Sequence, residues 1–170
     1  MSETPDRRLS PRAAPSEWPD LAGRLVSLDG ASVHVLPVRV YFEDTDFSGL
    51  VYHASYVRWC ERGRSDFLRL LGSEHRALID GAAGGEPAAF VVRRIILEYL
   101  KPARIDDVLE ITTRVRSMTA ATLVLSQSVS RDGQPLCEAE VTVVLVSASG
   151  RVLRLSAGLK ARLATRIDGG

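Results

Sequence analysis

Lysine is almost missing from this chain: Lys101 and Lys160 are the only two. Arginine carries the remaining positive charge, and the formal net charge is only +1. No strong field therefore marks the chain for nucleic acid or for an acidic membrane surface. Cysteine is equally scarce. Cys60 and Cys137 make neither a disulfide framework nor a metal pattern, which suits a reducing cytoplasm. Long apolar runs are absent: nothing approaches the length of a membrane span, and the first thirty residues hold no apolar stretch long enough for a signal peptide. His34 and His75 fit no ligand spacing, so no metal is expected. What remains is 170 residues with 45% apolar content, enough for one domain with its own core.

Residues 1–30 read as an N-terminal extension, at least partly disordered, since residues 1–16 carry three prolines, clustered charge and no apolar period. A short helical turn is expected around Leu21–Leu28, ending at Asp29-Gly30. The domain proper is expected over 31–165, with 166–170 as a frayed tail. Its first strand is read as Ser32–Phe42, with Val38, Val40 and Phe42 on one side and Pro37 marking an edge or a strand entrance. An acidic turn follows, Glu43-Asp44-Thr45-Asp46-Phe47-Ser48-Gly49. The next segment is amphipathic and helical from Tyr52–His53 to Gly72, with Tyr56, Val57, Cys60, Gly63, Phe67, Leu68 and Leu71 on its apolar face. After a loop at Ser73–Pro87 come four strands: Ala89–Leu100, Asp107–Ser117, Ala121–Arg131 and Pro135–Ala148. The breaks between the last three are short, Asp132-Gly133 being a strong hairpin signal, and short links require antiparallel neighbours. Ser156 is positioned to cap a short tail helix. The expected class is α+β: an antiparallel sheet of about five strands wrapped around one long helix.

A carboxylate placed just before a helix N-terminus suits carbonyl chemistry, because the helix end offers N–H groups with partial positive charge. Asp46 is the candidate catalytic carboxylate, against the structural alternative that it merely caps the turn or the helix. Asp44 is expected to make an Asx-turn or an ion pair. Glu61, further along the helix, is the next carboxylate in line. His53 offers its main-chain N–H at the helix start and an imidazole that can orient substrate.

The ordered run D-T-D-x-x-G-x-V-Y-H-x-x-Y, together with AFVVRRIILEYLKPARIDDVLEITTRV, resembles the 4-hydroxybenzoyl-CoA thioesterase group of hotdog-fold enzymes. Within that group the chain is most similar to the bacterial acyl-CoA thioesterases associated with the Tol-Pal cell-envelope system, over roughly residues 37–150. The resemblance implies a hotdog fold, a homodimer or homotetramer built through the sheet, and hydrolysis of an acyl-CoA without a cofactor. It puts the carboxylate role on Asp46, as general base or nucleophile, and an oxyanion contact at His53. Gly49, Val51 and Tyr52 follow in the motif as substrate-binding candidates. Arg93 and Arg94 join them as phosphate forks for coenzyme A. Phe42 departs from the pattern, since relatives often place a tyrosine there. The alternative is a non-catalytic module that binds acyl-CoA or acyl carrier protein in lipid metabolism or envelope assembly.

Overall fold

The computed structural model describes residues 23–28, 31–72, 78–80 and 86–164. The expected tail (1–16), most of the loop at Ser73–Pro87 and the end (166–170) lie outside them. Strands β1 (Arg24–Leu28) and β2 (Ala31–Arg39) precede helix α1 (His53–Leu70). Strands β3 (Ala88–Tyr99), β4 (Val108–Met118), β5 (Thr122–Arg131) and β6 (Gln134–Ser147) follow, and helix α2 (Ala157–Ala164) closes the described chain. All six strands form one antiparallel sheet in the order β1-β2-β4-β5-β6-β3. Helix α1 lies against β4, β2 and β5. This is the hotdog arrangement that the resemblance implies.

Two expectations need correction. The described residues hold six strands where about five were expected, because Arg24–Leu28 pairs with β2 in place of the expected helical turn. Five residues are too few for periodicity to separate strand from helix. Here Leu25 and Val26 find cross-strand partners in His34 and Val33. The first core strand also stops early: β2 ends at Arg39, and Phe42 is 82% exposed rather than packed beside Val38 and Val40. Asp44 causes the break. Its Oδ2 accepts the Tyr41 N–H at 3.0 Å while its own N–H bonds the Tyr41 carbonyl, also at 3.0 Å, winding Phe42–Asp44 into a 3-10 turn. Pro37 is tolerated between two strands because β1 reaches only to Val35 among the described residues.

Inward positions of β4 and β5 follow strict alternation: Leu109, Ile111, Thr113 and Val115 on one, Leu123, Leu125, Gln127 and Val129 on the other. Against them α1 buries Tyr56, Cys60, Gly63, Phe67 and Leu68 as expected, and also Trp59 and Arg64. Trp59 and Phe67 are almost fully buried, each worth about 1.5–3 kcal/mol in removed apolar surface. Gly63 allows the closest approach, since a Cβ there would lie 3.1 Å from Thr113 Oγ1 and 3.2 Å from Ile111 Cγ2. The helix ends as its sequence suggests, with Gly72 at φ +72°. Ser156 caps α2, its Oγ accepting the Leu159 N–H at 3.2 Å.

Candidate active site

Residues 45–51 form a small loop that closes on itself just before α1. Thr45 bridges Val51, the Asp46 N–H donates to the Leu50 carbonyl at 2.9 Å, and the Gly49 N–H donates to the Asp46 carbonyl at 3.0 Å. Gly49 has φ +75°, a conformation that costs glycine nothing. Asp46 sits at the exposed tip, and Oδ1 accepts both the Ser48 N–H (2.8 Å) and the Ser48 hydroxyl (2.5 Å). Those two donors, helped by the field of His53, hold its carboxyl below the ordinary aspartate value. Oδ1 is committed to Ser48, and no described residue bonds Oδ2.

The two motif aspartates exchange the structural roles read from sequence. Asp46 makes the Asx-turn and caps no helix, whereas Asp44 is buried and braces the backbone. While the Asp44 carboxylate holds Tyr41, its main-chain carbonyl accepts the Tyr52 N–H at 2.8 Å and the Ser55 hydroxyl at 3.3 Å. The Val51 N–H is likewise spent, on the Ala103 carbonyl at 2.9 Å. Helix α1 then starts with no side-chain cap on Tyr52 and no acid in its first turn. Among the described residues, the His53 and Ala54 N–H groups have no partner, so the positive end of the helix is open to an incoming oxygen.

A cleft of about 240 Å³ opens beside this helix end, walled by Leu50, Val51, His53, Tyr56, Tyr99 and Lys101 among others. The Tyr99 hydroxyl donates to the His53 carbonyl at 2.9 Å and ties the first turn of α1 to β3. Tyr56 receives the Ala103 N–H at 3.0 Å and meets Tyr99 edge-on, with ring centres 5.5 Å apart. The His53 ring stands between Tyr52 (4.3 Å) and Tyr99 (6.4 Å).

The structure thus groups Asp46, Gly49, Val51, Tyr52 and His53 in one loop and helix start. It does not bring Arg93 and Arg94 to them. Those arginines lie at a bulge of β3, five or more residues from Tyr99, which is about 17 Å of strand. Lys101 is the cation in the cleft wall. Tyr56 and Tyr99 were not singled out from sequence. The signal was there in Tyr99, which shares a strand face with Leu97 and lies just before the Lys101-Pro102 exit. Glu61 points elsewhere, accepting the Ser65 hydroxyl at 2.7 Å. Neither cysteine competes as a nucleophile: burial pushes the thiol of Cys60 up to about 11 and that of Cys137 to about 12. Among the described residues no group of three or more His, Cys, Asp or Glu could hold a metal ion, and no helix is long and apolar enough to cross a membrane.

A hotdog sheet on a long helix, with a carboxylate loop feeding the open helix end, defines a site of the thioesterase class. The chain belongs to the thioesterase-like superfamily, whose family model matches residues 40–163. It is 50% identical over 111 residues to the acyl-CoA thioester hydrolase YbgC of Escherichia coli O6:H1, covering 65% of this chain and 79% of that protein. It is 38% identical over 110 residues to the acyl-CoA thioesterase YbgC of Haemophilus influenzae, covering 65% and 78%. The crystal structure of a probable thioesterase from Bartonella henselae superposes with a TM-score of 0.70 at 40% identity, over 73% of this chain and 99% of that one.

Proposed function

We propose that the protein hydrolyses acyl-CoA thioesters to the free acid and coenzyme A, with Asp46 as the reacting carboxylate. One observation carries the reading: beside a helix start whose first N–H groups have no partner among the described residues stands an ionised carboxylate with one oxygen that no described residue bonds. A thioester needs little help at its leaving group, because a thiol with a pKa near ~8.5 departs readily as thiolate. It does need an activated oxygen and a place for the carbonyl charge. Asp46 takes the proton from water as the water oxygen bonds to the acyl carbon. Alternatively it attacks that carbon itself, forming a mixed anhydride that water then opens. By either route the C–S bond breaks, the sulfur leaves with its electron pair and takes a proton from solvent. The N–H groups of His53 and Ala54 receive the oxyanion, and the His53 ring orients the acyl group. Gly49 sets the turn, Val51 shapes the wall, Tyr52 backs the His53 ring, and Lys101, in place of the more distant Arg93 and Arg94, contacts a phosphate of coenzyme A.

The proposal includes a cytoplasmic homodimer or homotetramer. Among the described residues the twelve-residue edge strand β3 has no partner on its outer side, and its exposed Val91 and Ile96 support pairing with a second copy. It extends to acyl carrier protein as a second thioester donor and to a place in the Tol-Pal cell-envelope system. The test is thiol release from short-chain, long-chain and aromatic CoA esters, by the parent protein and by Asp46→Asn. Release that depends on Asp46 supports the reading. Esters that bind and are never cleaved would leave a non-catalytic acyl-CoA or acyl-carrier-protein binding module.

A further inference from the structure

A second cavity, of about 100 Å³, lies between α1 and the sheet. Its apolar lining is Leu68, Phe90, Val92, Leu125 and Val143, and its polar lining is Arg64, with Glu61 and Ser65 at the rim. Arg64 is only 7% exposed, and its recorded bond is to a neutral group, Gln127 Oε1, at 2.8 Å. The amide of Gln127 is held in turn by the Cys60 carbonyl and Thr113 Oγ1, both at 2.9 Å. Among the described residues no carboxylate pairs with Arg64, and Glu61 turns to Ser65. A buried guanidinium has five N–H donors in a fixed fork, and one neutral acceptor leaves most of that capacity unused.

One face of β3 passes from the cleft to the cavity. Residues directly opposite one another in a sheet share a face. Phe90, Val92, Ile95, Leu97 and Tyr99 stand opposite Leu145, Val143, Val141, Ala139 and Cys137, all of which face the core. Yet Val92 is 46% and Ile95 38% exposed, because α1 lies mainly against β4, β2 and β5 and leaves the inner side of β3 only partly covered. An apolar track therefore runs from Tyr99 in the cleft wall to Phe90 and Val92 in the cavity wall. His53 and Arg64 are eleven residues apart on α1, or about 16 Å along its axis.

Resting on the thioesterase reading, we infer that this track holds an extended acyl chain of medium length and that Arg64 receives a carboxylate at the chain's far end. The substrate class is then a monothioester of a long dicarboxylic acid. The reacting carbonyl sits at His53, the methylenes lie on the inner face of β3, and the terminal carboxylate pairs with the guanidinium.

The test compares kcat/KM for dodecanedioyl-CoA and dodecanoyl-CoA, esters of equal length that differ only at the far end. The parent protein should favour the dicarboxylic ester by about tenfold, the worth of one hydrogen bond to a charged group. Arg64→Gln should bring the ratio to about one. Val92→Trp, a change at an exposed position that leaves the Arg64–Gln127 pair untouched, should do the same by filling the cavity mouth. A parent ratio of about one, or a ratio that survives both substitutions, overturns the inference. So does a fall in molecular mass on Val92→Trp, which would mean that a second copy of the chain covers the track. If neither ester is cleaved, the thioesterase reading fails separately. Calorimetry with dodecanedioate then decides the site: heat that Val92→Trp abolishes upholds it, and no heat overturns it.

Discussion

Asp46→Asn removes basicity and nucleophilicity but leaves an oxygen for the two Ser48 donors, so the loop should keep its shape. Turnover should fall by roughly two to four orders of magnitude, the range a positioned base supplies, with KM changing far less than kcat. Asp44 would be a poor control, because its carboxylate and carbonyl brace Tyr41, Tyr52 and Ser55. Glu43→Gln, an equal charge change on an exposed neighbour, should cost little in the same thiol-release assay. Because the Ser48 hydrogen bonds hold Asp46 below the ordinary value of 3.8, the acid limb of kcat/KM should appear only beneath that value. His34 titrates to a different end. It is fully buried, with Nε2 2.7 Å from Asp66 Oδ2, and burial lowers its pKa below the ordinary 6.5 despite the opposing pull of Asp66. The unfolded chain therefore takes the proton first as pH falls. Stability from this group should be full above pH 6.5 and decline beneath it, and His34→Gln should flatten that slope in melting curves. The sequence motif made Asp46 legible. The His34–Asp66 pair was not legible, because its members are 32 positions apart and no local pattern joins a strand histidine to a helix aspartate.

At the cleft α1 meets β3 through the ring of Tyr99, which faces Tyr56 and His53, and through one hydrogen bond from its hydroxyl. Tyr99→Phe keeps the ring and removes the bond to the His53 carbonyl, so the first helical turn loses its tie to the cleft wall. A loss of about threefold to tenfold in kcat, with little change in melting temperature, is the expected reading from an exposed hydrogen bond. Further along the helix, Gly63→Val would force two methyl groups toward Thr113 and Ile111, which the Gln127 hydrogen bond and complete burial keep from yielding. The cost should be about 3 kcal/mol, or roughly 10 °C in Tm, whereas Gly63→Ala is partly offset by the gain in helix propensity. Alternation located β4, β5 and β6 because each has one wet and one dry face. It could not locate β1, although Asp29-Gly30 between two short apolar runs is the same dipeptide that joins β5 to β6. Buried Arg64 and Gln127 were hidden for another reason: they bond across 63 positions, and a polar letter in a sequence does not reveal its partner.

At the scale of the whole molecule, the outer edge of β3 decides assembly. Lysines in place of Val91 and Ile96 should repel a second copy, and light scattering should then give the mass of one chain. The order of the sheet carries a further consequence, for synthesis. Strands β4, β5 and β6 are consecutive hairpins and can pair as they emerge. By contrast β3 is made before β4, yet its neighbour among the described residues is β6, so Ala88 must wait for Ser147. During that wait a twelve-residue strand, AAFVVRRIILEY, is exposed to every other nascent chain. Arg93 and Arg94 separate its two apolar runs, AAFVV and IIL, where a charge blocks strand stacking. Beyond any contact with coenzyme A, the arginine pair thus acts as a gatekeeper against aggregation. Replacing both with serine should raise the turbidity of refolding mixtures while the melting temperature of the folded protein stays nearly unchanged.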